Sequence, residues 1–534
     1  MASVADELGR VMAREKIRLM FGFPGGVTVD LAEMASRHGV EFVLAHSEWS
    51  AGYMAGMYGD LTGLPGVLVT TLGPGATNAV NATAHAYLDR QPALIFTGST
   101  SLRQASHSHQ RLDQRAIFAP VTKWSTTVTG DGFAAQLRRG MRIATDERPG
   151  PVHFDVPADQ TRADSAGAGE GSLSEYQRAY GPAGNLEQAA KFLRSARRPL
   201  VVAGNTARRR AASGGIRQLA EARGMPVLTT PKAKGVIDER HPLWAGVIEM
   251  AGHHFMDDFL AQADLILAVG FDPVELIGPW RHSAPVINID YLPNTDDVYY
   301  SALDLVGDIN ATCAAIASTS QGESRWSEAE LARHRTEYLR RVTVQGPGLS
   351  PSAVVFAARE ALPESAIMVS DVGSHKMLLG GLWRTSAPDT FFMSNGLGTM
   401  GFGLPSAIAA QLVHPDRKVV CCTGDGGLAM VLGELGTIAD RELPVLTIVF
   451  NDGALDRIRR KQWNENFRAI GTEFGNPDFV KLAESFGLAA YRATTEGEFT
   501  GALASALADG GPCLIEAKIN PEEYDAQFRS LPRG

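Results

Sequence analysis

The chain has 534 residues, of which 44 % are apolar and 20 % charged, which predicts a globular protein of two or three domains. The formal net charge of −9 speaks against the basic face that nucleic-acid binding requires. The charged N-terminus lacks an apolar signal core and no apolar run approaches the roughly 18 residues of a membrane span, which predicts a cytoplasmic protein without a membrane segment.

Short apolar runs alternate with helical patterns along the whole chain, and glycine or aspartate tends to follow each run. In chain order the predicted strands are EFVLA, GVLVTTL and ALIFTG, then PLVVAG, PVLTT, ADLILAVG and PVINID, and finally AIMVSD, KVVCCTG and VLTIVFND. Runs rich in Val, Ile and Leu are typical of parallel strands that are buried on both faces. The pattern predicts an α/β fold of three doubly wound, Rossmann-like domains with mainly parallel sheets.

Two polar segments divide these runs into three blocks. Residues 161–185 are rich in Gly, Ala and Ser, and residues 318–351 are charged and contain Gly-Pro-Gly near their end. Both compositions are typical of linkers. We therefore predict domains over residues 1–165, 185–320 and 345–534.

Two aspartates follow consecutive predicted strands of the third block. Asp425 lies in the turn TGDGG after KVVCC, and Asp452 follows VLTIVFN. The intervening LAMVLGELGTIADREL is long enough for a crossover helix, so the two strands are predicted to be parallel with their carboxyl ends at one sheet edge. Ligands of open α/β sheets bind along that edge.

The glycines beside Asp425 would allow the backbone to approach an anion. Gly424, Gly426 and Gly427 carry no side chain, and the next helix would present its positive N-terminus. Two carboxylates beside such a cradle suit Mg²⁺, which is often held by few carboxylates together with substrate phosphates. The structural alternative is that Asp425 caps a helix and residues 451–453 form a plain turn.

Four segments together resemble the thiamine-diphosphate (ThDP) enzyme family. GDGG, followed by a helix, a strand and Asn-Asp, resembles the family's diphosphate-binding motif. HSEWSAGYMAGMYGDLTG around Glu48, LGPGATN at 72–78 and SNGLGTMGFGLPSAIAA at 394–410 resemble its glutamate segment, its glycine turn and the segment before the metal motif. The resemblance covers nearly the whole chain in the order pyrimidine-binding, middle and diphosphate-binding domain. FAPVTKWS, GFDPVE and INIDYLPNTDD are similar to the FAD-independent acetolactate synthases in particular.

The resemblance implies a set of site residues. Glu48 matches the catalytic glutamate that contacts the aminopyrimidine, and Met400 matches the apolar residue that holds the cofactor bent. Asp425, Asp452 and the Ala454 carbonyl match the ligands of Mg²⁺. The other cofactor-binding positions are Gly73, Asn78, Ser374, His375, Gly398, Gly424, Gly426 and Gly427. The positions that line the substrate pocket are Gln110, Phe118, Lys123 and Lys461.

The resemblance also implies a reaction. It is the decarboxylation of a 2-oxo acid such as pyruvate followed by addition to a carbonyl acceptor, in a homodimer or homotetramer with active sites between subunits. The alternatives within this chemistry are a decarboxylase that forms no carbon–carbon bond and a 2-hydroxyacyl lyase. A nucleotide-binding redox protein would leave Glu48 unexplained, and a catalytically silent ThDP-fold protein would not need it.

Two segments depart from the FAD-dependent acetolactate synthases. Those enzymes have Arg-Phe-Asp-Asp-Arg where this chain has GFDPVELIGPW at 270–280, which speaks against bound FAD. They have a tryptophan where Lys461 stands, and here Arg457, Arg459, Arg460 and Lys461 form a basic cluster. The cluster is either a solvated helix face or a site for a substrate with extra negative charge.

Overall fold

The structure is a computed structural model that describes residues 2–103, 108–165, 180–278, 280, 282–295, 298–319, 322–344 and 346–528. The predicted linker at 161–185 lies largely outside them. The described residues of Met1–Arg178, Gly396–Asp416 and Ala429–Leu443 form one compact unit, and those of Ala179–Asn395, Arg417–Leu428 and Pro444–Gly534 form another. Within the described ranges, no helix has the length and apolar character needed to cross a membrane.

The strands of the described residues form three six-stranded sheets in which every pairing is parallel. The first, in the order β2-β1-β3-β4-β6-β5, contains β1 Leu19–Gly22, β2 Glu41–Leu44, β3 Gly66–Thr70, β4 Ala93–Ser99, β5 Trp124–Thr127 and β6 Pro151–Pro157. The second, in the order β12-β11-β10-β7-β8-β9, contains β7 Pro199–Ala203, β8 Val227–Thr229, β9 Trp244–Val247, β10 Leu265–Val269, β11 Val286–Asp290 and β12 Ser301–Val306. The third, in the order β14-β13-β15-β16-β18-β17, contains β13 Ile367–Ser370, β14 Phe391–Met393, β15 Val419–Gly424, β16 Leu446–Asn451, β17 Ala489–Ala493 and β18 Cys513–Lys518.

Helices connect and cover these strands. In the first 200 residues they are α1 Val4–Arg14, α2 Val29–Arg37, α3 Glu48–Thr62, α4 Pro74–Asn78, α5 Val80–Leu88, α6 Gln114–Phe118, α7 Phe133–Thr145 and α8 Leu186–Ser195. Then follow α9 Asn205–Arg209, α10 Ser213–Arg223, α11 His253–Leu260, α12 Ile309–Thr319, α13 Glu328–Val342, α14 Pro351–Ala361 and α15 Ser374–Leu382. The last are α16 Gly403–Val413, α17 Asp425–Ala429, α18 Glu434–Asp440, α19 Asp456–Asn464, α20 Phe479–Ser485, α21 Glu496–Asp509 and α22 Glu523–Phe528. Short 3-10 helices lie at Ala119–Val121, Pro231–Ala233 and Pro273–Glu275.

The three parallel sheets confirm the predicted α/β class, and all ten predicted apolar runs contain a strand. The strands without a prediction include edge strands that lack a continuous apolar run. The edge strand β5 reads WSTT and is half-buried throughout, and β17 reads AAYRA. An edge strand needs less apolar surface than a central one because it has only one neighbouring strand.

The prediction of a linker over residues 318–351 is wrong for its central part. Residues 328–342 form α13, which buries Leu331, His334, Tyr338 and Val342. These residues recur at spacings of three and four, which is the period of an amphipathic helix. The charged residues that suggested a linker lie between them.

The prediction of one continuous crossover helix after Asp425 is also wrong. The segment forms two helices, α17 and α18, with a turn between them. Gly433 in that turn packs closely on His46, since a Cβ atom at Gly433 would lie 2.7 Å from the His46 Cβ. The close approach requires glycine, and glycine weakens a helix.

Candidate active site

Glu48 is the first residue of α3 and is only 9 % exposed. The helix starts there because the Ser47 hydroxyl accepts a hydrogen bond from the N–H of Ser50. The Glu48 Oε2 accepts a hydrogen bond from Asn78 Nδ2 at 3.1 Å. A Cβ atom on Gly75 would lie 3.1 Å from Glu48 Oε1, so the carboxylate lies in a narrow space lined by backbone.

Glycines in α3 fix the position of this helix. A Cβ atom on Gly52 would lie 2.5 Å from the Ala82 Cβ, and one on Gly59 would lie 2.1 Å from the Pro92 carbonyl oxygen. The helix therefore packs against its neighbours at backbone distance. Close packing of this kind restricts how far Glu48 can move.

Glu434, which was not predicted from the sequence, supports the chain just before Glu48. Its Oε1 accepts a hydrogen bond from the His46 N–H at 2.9 Å, and its Oε2 accepts one from the Thr437 hydroxyl at 2.9 Å. Glu434 is buried, and burial raises the pKa of its carboxyl group. A single glutamate in a helical pattern is indistinguishable from a surface residue, so only the fold reveals this contact.

The predicted pyrimidine-side residues lie in the same compact unit as Glu48. Gly398 has a φ of 66°, and among the described residues nothing lies within 4 Å of the position of its missing Cβ. Thr399 Oγ1 lies 3.0 Å from the Tyr53 hydroxyl on α3, and the next residue, Met400, is half-buried. Gly398 thus provides open space beside a segment that is attached to α3.

Gly73 and Gln110 lie against each other. Gly73 has a φ of 62°, and a Cβ atom there would lie 2.8 Å from the Gln110 Cβ. Gln110 is exposed and also has a positive φ, of 57°. The two residues belong to loops that follow β3 and β4, at the carboxyl edge of the first sheet.

The side chains of Phe118 and Lys123 both contact other residues of the first 160 residues of the chain. The Phe118 side chain is fully buried and stacks on the His153 ring with 4.2 Å between centroids. Lys123 donates from Nζ to the Asp146 carbonyl at 2.7 Å. Their place in a substrate pocket stays a prediction.

His153, beneath Phe118, makes the stability of the protein dependent on pH. Burial, followed by the charge of Arg115, lowers the pKa of His153 to about 3. In the unfolded chain the His153 ring binds a proton below about pH 6.5, whereas in the folded chain the ring stays neutral. Acidification therefore favours unfolding. When the pH falls from 7.5 to 5, we expect His153 to lower the free energy of unfolding by about 2 kcal/mol.

The variant His153→Gln tests this, because glutamine can still bond Thr97 and Ser125 but does not titrate. Urea unfolding at both pH values should show that the free energy of unfolding of the variant falls by about 2 kcal/mol less than that of the wild type. The exposed His109→Gln serves as the control and should lose as much as the wild type. Equal losses in all three proteins would contradict the role of His153.

Asp425 and Asp452 follow adjacent parallel strands, β15 and β16, in which Gly424 pairs with Phe450. Asp425 Oδ1 accepts a hydrogen bond from the Gly426 N–H at 2.8 Å, and its Oδ2 accepts one from the Gly453 N–H at 2.8 Å. The Asp425 carboxylate therefore touches the backbone directly beside Asp452. The Ala454 N–H donates to Asp452 Oδ1 at 3.2 Å.

The electrostatics of this pair fit a divalent cation. Burial raises the pKa of Asp425, and burial together with the charges of Asp456 and Asp425 raises the pKa of Asp452 to about 7. Two neighbouring carboxylates that repel each other in a buried place are stabilised by a cation. Oxygen ligands of this type suit Mg²⁺.

Asn476 completes this arrangement and was not predicted from the sequence. Its Nδ2 donates to Asp425 Oδ2 at 2.7 Å and to Asn451 Oδ1 at 3.0 Å. It lies in the segment GNPD, which looks like an ordinary turn and follows Asn451 by 25 residues. Asn476 orients the carboxylate that would bind the metal, as partners of metal ligands commonly do.

His375, the second residue of α15, fits the anion-binding role predicted for it. Its ring is buried, stacks on Phe450, and lies against Gly424, where a Cβ atom would be 3.2 Å from Cε1. Burial, with the charge of Lys376, lowers the pKa of His375 to about 3. Its Nε2 is buried and finds no hydrogen-bond partner among the described residues. A buried polar atom without a partner is costly, and a bound diphosphate would remove that cost.

Ser374 and two arginines of the basic cluster, Arg459 and Arg460, have partners within the protein. The Ser374 hydroxyl donates to Asp456 Oδ2 at 2.8 Å. Arg460 is buried and pairs with Asp456 and Asp525, and Arg459 pairs with Asp456. Lys461 is exposed on the same helix, α19. Two of the four positive charges of the predicted cluster, those of Arg459 and Arg460, are therefore balanced by carboxylates within the protein, so a solvated face describes Lys461 but not Arg460.

The middle sheet has an internal carboxylate at the position where nucleotide phosphates bind in related topologies. Its strand order reverses between β7 and β10, which is the usual ligand crevice of such a sheet. There Glu275 Oε2 accepts a hydrogen bond from the Asn205 N–H at 2.9 Å, and Thr230 donates to Oε1 at 2.5 Å. Burial raises the pKa of Glu275 to about 7. A phosphate would have to displace this group.

Three family models match the chain in succession. They are the N-terminal TPP binding domain of thiamine pyrophosphate enzymes at residues 2–117, the central domain at 186–316 and the C-terminal TPP binding domain at 371–517. The matches follow the order of the three sheets.

Curated relatives match nearly the full length. An acetolactate synthase of Arthrospira platensis is 32% identical over 96% of this chain and 93% of the relative. A probable acetolactate synthase large subunit of Methanocaldococcus jannaschii is 30% identical over 97% of this chain and 92% of the relative. A probable 2-ketoarginine decarboxylase of Pseudomonas aeruginosa is also 30% identical, over 97% and 94%.

Proposed function

Because this chain belongs to the thiamine pyrophosphate enzyme family, within the group of the acetolactate synthases, we propose that it is a ThDP- and Mg²⁺-dependent carboligase. It decarboxylates a 2-oxo acid, most simply pyruvate, and joins the remaining acyl unit to a carbonyl acceptor. The observation that carries the proposal is the presence in one chain of both Glu48, oriented by Asn78, and the buried carboxylate pair Asp425 and Asp452.

The protein's own groups divide the work in the following way. ThDP would supply the sink for the electron pair that decarboxylation releases, which no side chain can provide. Asp425, Asp452 and the Ala454 carbonyl would hold Mg²⁺ against the diphosphate. The backbone at 424–427 and His375 would contact the diphosphate oxygens.

Glu48 would hold a proton at its carboxylate against the pyrimidine ring. Asn78 donates to Oε2, so Oε1 is the carboxylate oxygen that would remain for the contact with the pyrimidine. Gly75 lies next to Oε1, where a Cβ atom would be 3.1 Å from that oxygen. The open space at Gly398 and the half-buried Met400 supply the remaining pyrimidine contacts by resemblance.

The oligomeric state follows from the resemblance as a further part of the proposal. Family members place their active sites between subunits, so this chain is expected to act as a homodimer or homotetramer. Light scattering after size-exclusion chromatography would measure the assembly, and a monomer that turns over would contradict the proposed oligomer.

FAD is not part of the proposed enzyme, and the Glu275 carboxylate at the Asn205 amide supports that view.

A second candidate function is decarboxylation without ligation. It is favoured by the similarity to the probable 2-ketoarginine decarboxylase, which is as close as one of the synthases. The basic cluster does not decide between acceptors, because Arg459 and Arg460 are already paired with carboxylates.

One experiment separates the two candidates. The protein with ThDP and Mg²⁺ is incubated with pyruvate and, separately, with a panel of 2-oxo acids, and the products are identified by mass spectrometry. Acetolactate from pyruvate alone is the expected result. An aldehyde without a ligation product from any of the acids would establish the decarboxylase instead, and no product from any acid would refute both.

The diphosphate assignment of His375 can be tested separately from catalysis. We expect His375→Ala to weaken ThDP binding by about 10- to 100-fold, because a hydrogen bond to a charged group in a buried place is lost. Isothermal titration calorimetry at saturating Mg²⁺ measures it. The variant His375→Asn keeps an amide donor, so its ThDP affinity should lie between those of the wild type and of His375→Ala. Unchanged affinity in both variants would reject the assignment.

A further inference from the structure

The first turn of α11 in the middle domain brings two histidines and an aspartate together. His253, His254 and Asp257 each offer one ligand atom, and these atoms lie within 4.8 Å of one another. Asp257 follows the two histidines by four and three residues, which places the three side chains on one helix face. The cluster belongs to neither the metal motif nor the pyrimidine segment.

The geometry at His254 is poorly explained by hydrogen bonding. Its Nδ1 lies 3.7 Å from Asp257 Oδ2, which is longer than a hydrogen bond of about 3 Å. Two ligands of a tetrahedral ion with bonds of about 2.1 Å are roughly 3.4 Å apart, close to the distance observed.

The surroundings add negative charge. Glu249 lies near Asp257, and burial together with the Asp257 charge raises the pKa of Glu249 to about 7. Its Oε2 accepts a long hydrogen bond, of 3.3 Å, from the Ile277 N–H. A cation bound at Asp257 would offset part of this repulsion between the two carboxylates.

We propose that His253, His254 and Asp257 form a binding site for one divalent transition-metal ion of the Zn²⁺ class. Imidazole nitrogens suit Zn²⁺, Co²⁺ and Ni²⁺, whereas Mg²⁺ prefers oxygen ligands such as those of Asp425 and Asp452. The site is therefore chemically separate from the cofactor's metal. Zn²⁺ bound there holds the start of α11, which lies next to the positive-φ residues Glu249 and Gly252.

The test uses Co²⁺, whose visible absorption reports ligand geometry, and Zn²⁺. Full-length protein is freed of metal with a chelator, and Mg²⁺ is then added in excess to fill the oxygen site. Wild-type protein is expected to bind one equivalent of Co²⁺ with visible bands that Zn²⁺ abolishes. The variants His254→Ala and Asp257→Asn should bind this equivalent more than about 10-fold more weakly.

His241→Ala is the matched control, since His241 is 20% exposed like His254 and likewise lies beside a carboxylate, that of Glu221. It should bind Co²⁺ as the wild type does. As a second result, we expect Zn²⁺ to raise the unfolding midpoint of the wild type and of the control but not of the two variants. Equal unfolding midpoints of all four proteins without metal would show that all of them fold. Absence of Co²⁺ binding in the wild type, or binding unchanged in both variants, would overturn the site.

Discussion

Replacing Glu48 by glutamine is expected to lower kcat by about 10²- to 10⁴-fold while ThDP affinity changes little. Glutamine has the same shape, and its amide oxygen can still accept the hydrogen bond from Asn78. It cannot exchange a proton as a carboxylate does, so the loss falls on the chemical step. Hydrogen–deuterium exchange at C2 of bound ThDP, followed by NMR after acid quench, should slow by a similar factor.

Glu33→Gln is the control for this experiment. Glu33 is an exposed glutamate that pairs with Arg37 on the surface of α2. Its variant should retain the exchange rate and kcat of the wild type. If Glu48→Gln also retained the exchange rate, Glu48 would not be the residue that activates the cofactor.

Replacing Asp425 by alanine is expected to abolish Mg²⁺-dependent ThDP binding, with a loss beyond the 10- to 100-fold typical of removing a partner of a metal ligand. The change removes a proposed Mg²⁺ ligand and also the acceptor of the Gly453 N–H and the Asn476 amide. Calorimetry with and without Mg²⁺ measures it. Affinity that stays equal to the wild type in the presence of Mg²⁺ would refute the metal site.

Asn476→Ala provides a graded comparison for Asp425→Ala. It leaves the carboxylate in place and removes one of its hydrogen bonds, of 2.7 Å. The expected loss of Mg²⁺-dependent affinity is about 10- to 100-fold, clearly smaller than for the ligand itself. Circular dichroism of both variants checks that a lower affinity does not come from unfolding.

The placement of the two aspartates illustrates what sequence patterns can predict. Strand, turn and crossover lengths predicted that Asp425 and Asp452 follow neighbouring parallel strands, and β15 and β16 are such neighbours. Periodicity and connection length are local properties, and the handedness of crossovers makes the strand direction predictable. The fold class was predictable for the same reason.

Contacts between distant segments could not be predicted. Asn476 on Asp425, Glu434 on the His46 amide and His153 under Phe118 each depend on how loops and helices pack. Each involves a residue type that is common on surfaces, so the sequence has no periodic or compositional mark for it. The charge of Arg460 in the basic cluster is likewise neutralised by a distant residue, since Arg460 pairs with Asp525, which lies 65 residues away.

The compact unit that holds Glu48 is assembled from three separate pieces of the chain, and this has a consequence for biosynthesis. The Phe402 ring of the second piece contacts the rings of Tyr53 and His85, with 5.9 and 4.7 Å between centroids, and Glu434 of the third piece bonds the His46 amide, 388 residues earlier. A ribosome that has released only the N-terminal block has not yet made these partners. Because non-local contacts form slowly, the surroundings of Glu48 mature late, after residue 434 has left the exit tunnel. An N-terminal fragment expressed alone would expose the faces of α3 and α5 that these residues cover.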